Sequence, residues 1–531
     1  MKRLSLIAVA LMATSAHAAM TISSTKTRNV SCTGGVCTPT SGNANLNVGD
    51  LTSMLASSDV TVKSSITAPD IGILDALTWA SSHRLTLDAY ESIHVRAPVA
   101  VEGTAGVTLV TNDGGSGGDT YFNTTSAGGI TFWDSNSNLI INGQAFTLVG
   151  DIATLASDVS GNPGGNYALA KSYDASVDGT YSAAPVPNFS GRFEGLGNTI
   201  QNLKVVAAVA DLKIGLFGEL AQSAVARDIN FSNATVSNTN GHRFYQYVGV
   251  LAGYSSGSLI SVNVSGAVSG GRATYAGGVA GYARGLIERS HFSGSIKPNH
   301  PKDRDQGFVA GGIAGGLEGG SISYSSATAQ ISNAFLGGGL VGANLSGNIA
   351  WSQAGGSVTG QVAGGLVGGF IIENSISSSI TQSFATASVS AIQEGGGLVG
   401  LSQGQFGADA IVSQSYATGS VSGGSNAGGF VGKATGSDLT RSYAAGPVSD
   451  AQCTAGYAAD FDASDTFGND YWNTSTTGQS DGSCFVNIRR VNGLTDAQMK
   501  THLPAGFDRT IWGQDPNINN GWPYLLANPP Q

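Results

Sequence analysis

A short glycine motif constrains the folding of this chain more than any other feature of its sequence. It reads Gly-Gly-apolar-(Val or Ala)-Gly, is loosely kept in its first two copies, and recurs through residues 214–432. Its copies close 26 to 35 residues apart, at Gly218, Gly253, Gly281, Gly315, Gly342, Gly368, Gly400 and Gly432. Eight copies at this period indicate a solenoid or a propeller-like array. A four-stranded propeller blade needs about 40–45 residues, so the shorter period favours a parallel β-helix.

The composition agrees with a coil made of short strands. Of the 531 residues, 77 are Gly and 11% are charged, against about 25% charged residues in an ordinary soluble domain. That leaves too little Lys, Glu and Arg to build the surfaces of a helical protein. Segments such as 415–422 place Val, Thr and Tyr between glycines, which is typical of strands. We therefore expect an all-β, single-chain β-solenoid with short helical excursions.

Stacked rungs should bring equivalent residues of the repeat together. The first apolar position predicts a buried column in which Leu340, Leu366 and Leu398 lie one above another. Ser, Thr and Asn are expected to form ladders on the outer face. Gly is expected at the corners, because it tolerates positive φ and has no side chain to clash with the next rung.

The first 18 residues have the pattern of a secretory signal peptide. Lys2 and Arg3 precede the apolar stretch Leu4–Ala13, and Ala16-His17-Ala18 is a small-x-small cleavage pattern. We therefore predict a secreted or extracellular protein, or one on the bacterial outer surface. The net charge of −10 argues against a nucleic acid or an anionic membrane as partner. No later stretch approaches the ~20 apolar residues of a membrane span.

The four cysteines are expected to form disulfides, since their number is even and the chain is exported. Three pairings are open, and proximity in sequence favours Cys32–Cys37 and Cys453–Cys484. A zinc site is the alternative, but there is no C-x-x-C and no His flanks either pair. No cofactor is implied.

The chain divides into six predicted segments. A cap is assigned to the end because an open solenoid exposes apolar side chains and unpaired strand edges, and Trp472, Trp512 and Trp522 lie there. The segments are the signal peptide 1–18, a disulfide-bearing N-terminal cap segment 19–58, early rungs 59–145, an excursion with a short helix 146–188, the repeat β-helix 189–448, and a distinct C-terminal cap 449–531.

The runs at 338–342, 364–368 and 396–400, with the run-in at 189–200, resemble the GLUG repeat. This repeat occurs in filamentous-haemagglutinin-like bacterial surface proteins and in some immunoglobulin A peptidases. The resemblance implies a β-helix, a surface location, an adhesin-like role and an outer-membrane export partner. The chain departs from these relatives in having neither the Asn-Pro-Asn motifs of partner-pore export nor the His-Glu-x-x-His of the peptidases.

Two insertions supply the candidate binding residues. They precede the glycine motif by a similar distance, so they should emerge on one side of the rod, two rungs or about 10 Å apart. Aromatic, Arg and amide side chains suit a sugar or a protein surface, although tolerated surface loops are the alternative. The residues are Asn240, His242, Arg243, Phe244, Tyr245 and Tyr247 in the first insertion, and Lys297, His300, Lys302 and Arg304 in the second.

Catalytic and metal sites find little support in the sequence. Residues 306–448 carry seven isolated charged side chains, whereas cleavage of a polysaccharide needs paired carboxylates or a base beside a cation. Gly114–Phe122 is close to a calcium-binding nonapeptide but occurs once, so we favour a turn. The cluster Asp460–Asp470 is taken as a solvated loop. No catalytic residue and no metal ligand is predicted.

The function that we expect is non-catalytic and adhesin-like. Loops on a β-solenoid would bind a glycan or a protein receptor on a host or neighbouring cell. Two alternatives remain open at this point, a polysaccharide-active β-helix enzyme and a structural component of a surface layer or matrix.

Overall fold

The chain coils into a parallel β-solenoid of about 15 turns. The computed structural model describes residues 19–123, 128–207, 212–238, 245–300, 307–372, 377–405, 408–485 and 488–530. The all-β parallel β-helix predicted from the repeat is confirmed. The predicted signal peptide, residues 1–18, lies outside the described residues.

The first part of the solenoid has three sheets, parallel except for one hairpin. The strands of the first sheet are Ala19–Ser23, Ala44–Asn47, Asp70–Ile73, Ile93–Val95 and Thr120–Phe122. Those of the second are Leu77–Trp79, Val99–Val101 and Ile130–Phe132. Those of the third are Val30–Thr33, Val36–Pro39, Val60–Lys63, Leu85–Asp88, Val107–Val110 and Leu139–Ile141.

The second part carries the glycine motif and has two sheets. The eight strands that begin within the motif, with one further strand at each end, form a ten-stranded parallel sheet, named the glycine sheet: Val186–Phe189, Phe217–Leu220, Ala252–Ser255, Ala280–Ala283, Ala314–Glu318, Val341–Leu345, Val367–Ile371, Val399–Gln403, Val431–Thr435 and Ala458–Asp460.

The remaining strands of this part form a second, bent sheet that wraps around the other sides of the rod. They are Gln144–Val149, Asn166–Leu169, Tyr173–Asp174, Arg192–Glu194, Thr199–Gln201, Lys204–Ala207, Lys213–Ile214, Val225–Asn238, Gln246–Gly249, Ser258–Gly270, Thr274–Gly277, Leu286–Glu288, His291–Pro298, Val309–Gly311, Ser321–Ser323, Ser326–Gly338, Asn348–Ala350, Gln353–Gly364, Ser378–Thr381, Phe384–Ala385, Ser388–Gly396, Ala410–Ser413, Tyr416–Ala417, Val421–Ser422, Asn426–Gly428, Ser437–Thr440, Tyr443–Ala444, Val448–Ser449, Cys453–Ala455, Thr466–Gly468, Asp470–Asn473 and Val491–Leu494.

The helices are short and lie between strands. They are α1 (Val48–Leu55), α2 (Ile152–Gly161), α3 (Thr474–Thr477) and α4 (Asp496–Thr501), with 3₁₀ turns at Ala175–Asp178 and Asn519–Gly521. The Asn47 side chain caps α1 by accepting from two backbone N–H groups. No helix in the described ranges is long and apolar enough to cross a membrane.

The motif residues stack in strict register. The Leu340 N–H donates to the carbonyl of Leu366 at 2.8 Å, and the Leu366 N–H donates to that of Leu398 at 2.9 Å. All three side chains are fully buried. Val341, in the next column, pairs with Val367 in the neighbouring strand. The predicted dry column is confirmed.

The motif glycines are required by close approach of backbones. A Cβ on Gly339 would overlap the carbonyl oxygen of Gly365 one rung on, and a Cβ on Gly338 would overlap that of Val341. A Cβ on Gly342 would lie 2.7 Å from the carbonyl oxygen of Gly315. The expected clash with the next rung is therefore confirmed, whereas the expected positive φ is wrong for these glycines.

Positive φ is found instead at a different corner, where the residues are not glycine. Tyr324, Trp351 and Gln382 have φ of 50°, 48° and 44°. The residue after each of them is a serine. Positive φ recurs at the equivalent position of other rungs: Asp228, Ser261, Arg289, Gln414, Arg441 and Asn469.

These serines form a buried ladder along the rod. The N–H of Ser325 donates to Ser352 Oγ at 3.2 Å, and the N–H of Ser352 donates to Ser383 Oγ at 3.1 Å. Each hydroxyl donates in turn to the carbonyl two residues before it, as Ser352 does to Ala350 at 2.8 Å. The members are Ser290, Ser325, Ser352, Ser383, Ser415 and Ser442. The sequence predicted polar ladders on the outer face of the rod, whereas this serine ladder is buried inside it.

The segment 449–531 behaves in two ways. Its strands up to Val491–Leu494 extend the sheets of the rod. Residues 495–530 then pack against the side of the rod rather than its end. There Trp512 and its neighbours cover the stacked rings of Phe384, Tyr416 and Tyr443, together with Tyr471 on the next strand. The Asn528 side chain donates to the carbonyl of Ser352 at 3.1 Å.

Both predicted disulfides are confirmed. Cys32–Cys37 closes the hairpin between Val30–Thr33 and Val36–Pro39. Cys453–Cys484 ties a strand of the bent sheet to the segment that follows α3.

Removing one serine of the ladder should destabilise the rod. In Ser383→Ala, the buried N–H of Ser352 loses its acceptor, at an expected cost of about 1–3 kcal/mol. Urea denaturation followed by circular dichroism measures the loss. Ser390→Ala, at an exposed strand position, is the control and should leave the midpoint unchanged.

We call the turn at each copy of the glycine motif, which joins the bent sheet to the glycine sheet, the glycine corner. A methyl group at this corner should destabilise the rod more than the loss of one ladder serine. Gly365→Ala would press its Cβ into the carbonyl of Gly397, at an expected cost of about 3 kcal/mol. Gly150→Ala is the control, since nothing lies within 4 Å of its Cβ. Equal denaturation midpoints for the two variants would contradict the steric explanation.

Candidate functional site

The two predicted insertions start from the same face of the rod. Ser237, Ser269 and Lys297 pair in register on successive strands, so the insertions begin two rungs apart, as predicted. The Asn299 side chain donates to the carbonyl of Asn238, which links the two bases directly.

The structure describes four of the ten candidate binding residues. Tyr245 and Tyr247 follow the first insertion, and Lys297 and His300 lie at the exposed start of the second. The other six lie outside the described residues: Asn240, His242, Arg243, Phe244, Lys302 and Arg304.

Five tyrosines meet at the foot of these insertions. We call them the tyrosine cluster: Tyr245, Tyr247, Tyr254, Tyr275 and Tyr282. Their neighbouring rings have centroids 5.1 to 5.9 Å apart, in stacked, tilted and edge-on pairs. These are the separations at which aromatic pairs are favourable.

The tyrosines of the cluster come from the two strands that meet at the glycine corner in each rung. Tyr247 and Tyr275 pair on adjacent strands of the bent sheet just before the motif. Tyr254 and Tyr282 pair on adjacent strands of the glycine sheet just after it. Because the corner is so tight, the rings on its two arms touch, as Tyr247 and Tyr254 do at 5.5 Å.

Sequence reasoning found two of the five tyrosines and missed the other three. Tyr254, Tyr275 and Tyr282 lie outside the insertions, and the missed signal was their position in the repeat. Each lies two residues before or one residue after a motif glycine, which places them all on the outer face of one corner.

A glycine in the following rung makes room for the rings. Gly316 pairs with Tyr282, and a Cβ on it would lie 2.5 Å from the Tyr282 ring and 2.9 Å from that of Tyr275. The result is a graded surface, in which Tyr245 is 59% exposed and Tyr282 only 8%.

Paired charges frame the cluster. Lys213 lies 4.9 Å from the centre of the Tyr254 ring and forms an ion pair with Glu219. On the other side, Glu318 accepts from the Tyr282 hydroxyl at 2.9 Å and from Arg284 at 2.8 Å. Both carboxylates are therefore engaged.

The pKa values of the inner phenols are raised. Burial raises the pKa of Tyr282, and its hydrogen bond to the Glu318 carboxylate adds to the effect. Burial likewise raises the pKa of Tyr247. The phenols therefore stay neutral at physiological pH and offer ring faces together with hydroxyl groups.

The two acidic motifs considered for calcium have other uses. The Asp119 carboxylate forms ion pairs with Arg227 at 2.8 Å and Arg289 at 3.4 Å. Asp470 ends the serine ladder by accepting from the N–H of Ser442 at 2.9 Å. Across the described part of the chain, no three His, Cys, Asp or Glu residues are grouped to hold a metal ion.

Comparison with known proteins gives a sequence match over a short segment and a structural match with a low TM-score. A segment of 82 residues, 15% of this chain and 1% of the other, is 39% identical to halomucin from Haloquadratum walsbyi. A solved structure of a candidate immunoglobulin A1 protease from Bacteroides ovatus is 16% identical, with a TM-score of 0.33 over 72% of this chain and 92% of that one. No protein-family model matches the chain.

Filling the space above the Tyr282 ring should disturb the cluster without removing an aromatic group. In Gly316→Ala, we expect an altered near-ultraviolet circular dichroism signal with little change in the far ultraviolet. Gly72→Ala, whose Cβ would lie 3.6 Å from its nearest neighbour, should leave both spectra unchanged.

Proposed function

We propose that this chain is a non-catalytic, adhesin-like protein of the cell exterior, which binds a cell-surface glycan or protein receptor through the tyrosine cluster and the two insertions above it. The observation that carries the proposal is the cluster itself, five tyrosines graded from buried to exposed beside the strands from which the two insertions start. Tyrosine supplies a large contact area and a polar hydroxyl while losing little conformational entropy.

The surroundings of the cluster favour binding over catalysis. Its nearest carboxylates, Glu219 and Glu318, are each held by a cation, so neither is free to act as a general acid or base. A rigid rod with a fixed register also holds the binding residues without an ordering cost.

The proposed location has separate support. Two disulfides suit an oxidising compartment, and the first 18 residues have the pattern of a signal peptide. The resemblance to GLUG repeats of bacterial surface proteins points to the same place.

Replacing the exposed Tyr245 together with the half-buried Tyr247 should weaken attachment. We expect the double variant Tyr245→Ala, Tyr247→Ala to bind cells or immobilised glycans at least about tenfold more weakly, which corresponds to about 1.4 kcal/mol. Purified residues 19–531 are the test protein, and biolayer interferometry or cell binding is the measurement. The single variant Tyr245→Ala is tested as well, because the most exposed ring of the cluster can be removed with the least effect on folding.

Tyr324→Ala is the matched control. This tyrosine is 38% exposed and stacks on Trp351 at another corner of the rod, so its loss should leave attachment unchanged. Binding that survives protease treatment of the cells but not deglycosylation would assign a glycan receptor. Intact protein that attaches to nothing, or equal attachment of all variants, would contradict the proposal.

A further inference from the structure

A cavity lies where the two parts of the solenoid join. The first sheet ends at Thr120–Phe122, and the strands Arg192–Glu194 and Val225–Asn238 of the bent sheet lie beside it. The space between them has a volume of about 380 Å³. Its wall includes Asp119, Phe122, Phe146, Glu194 and Arg227.

Arg227 organises the polar wall. Its Nη2 donates to the Asp119 carboxylate at 2.8 Å and to the carbonyl of Thr120 at 3.2 Å. Its Nε faces two buried carboxyl groups, Asp228 at 2.5 Å and Glu194 at 3.6 Å. Asp119, Glu194 and Asp228 are therefore held around one guanidinium group.

Glu194 is a buried carboxyl group in this wall. The side chain is 8% exposed, and burial, together with the charge of Asp228, raises its pKa well above the usual value. It accepts from the N–H of Leu196 at 3.3 Å. In its neutral form, the carboxyl group can both donate and accept a hydrogen bond.

The charged groups of the wall are already paired with one another. Arg227 contacts Asp119, Asp228 and Glu194, and Arg289 lies 3.4 Å from Asp119. A ligand with a net charge would have to compete with these contacts, so the cavity favours a ligand without net charge.

The remaining wall defines that ligand further. Phe122 and Phe146 line the cavity with apolar rings, and the exposed Gln144 adds an amide. The amide of Asn142 also lines it, although its oxygen accepts from the N–H of Thr111 at 2.9 Å. A sugar ring has the matching character, with an apolar C–H face and an edge of hydroxyl groups. The volume is near the lower end of ligand pockets, about 300–1,000 Å³, and suits one or two sugar residues.

We propose that the junction cavity is a binding site for a neutral sugar residue. It is a second site, distinct from the tyrosine cluster, and it does not depend on the proposed function. The side chains at the cavity mouth, Gln144 and Arg192, are exposed, so they can be changed without opening the core.

Isothermal titration calorimetry with the folded chain tests the site. The probes are glucose, galactose, mannose and their disaccharides, with glucuronate and galacturonate for comparison. We expect at least one neutral sugar to bind, and Gln144→Ala and Arg192→Ala each to weaken binding about tenfold. Arg509→Ala, an exposed arginine of the C-terminal segment, is the matched control and should bind normally.

Glu194→Gln separates the neutral group from an ionised one. A carboxamide keeps the size and hydrogen bonds of a neutral carboxyl group, so this variant should retain sugar binding. Loss of binding in a folded Glu194→Gln protein, uronate binding as tight as that of neutral sugars, or no heat with any neutral sugar would overturn the proposal. Tyr245→Ala, Tyr247→Ala should keep cavity binding, which distinguishes this site from the tyrosine cluster.

Discussion

The structure depends on one constraint, the close approach of backbones at the glycine corner. The carbonyl of Gly365, one rung on, occupies the place where a side chain of residue 339 would be, and the same contact recurs on later rungs. Because no side chain separates the rungs there, they stack at backbone hydrogen-bonding distance. The register of Leu340 over Leu366 follows, as does the meeting of Tyr247 with Tyr254 on the outside of the same corner. The core and the proposed receptor site are thus two faces of a single turn.

A second corner of the rungs, at Tyr324 and Trp351, differs from the glycine corner because its residues have positive φ and carry side chains. There the chain needs positive φ, which costs a non-glycine residue roughly 1 kcal/mol or more. Tyr324 and Trp351 nevertheless occupy it and stack on each other outside the rod. The serine that follows each of them satisfies the buried N–H groups that the sharp bend removes from the sheet. Strain at one residue is therefore offset by a hydrogen-bonded ladder at the next.

The repeat determined what could be predicted. A periodic motif with apolar positions reveals stacking, so the β-helix, the Leu340 column and the common face of the insertions followed from spacing alone. Of the two reasons expected for the glycines, crowding by the next rung was right and positive φ was wrong, because a sequence does not distinguish between them. The junction cavity was missed for a related reason. Asp119 and Arg227 are 108 positions apart and meet only because the rod stacks one part on the other. Their positions in the sequence therefore gave no indication that Asp119 and Arg227 form an ion pair.

The lateral packing of the final residues affects when the rod can be completed. Phe384, Tyr416, Tyr443 and Tyr471 are covered by residues near the carboxyl terminus, and Asn528 reaches back to Ser352. The turns that carry this aromatic column precede residues 495–530 in the chain, so they can stack before that segment is in place. The apolar column then stays exposed until residues 495–530 fold back and cover it. Completion of the rod therefore depends on a contact that spans 176 positions of the chain, from Asn528 back to Ser352.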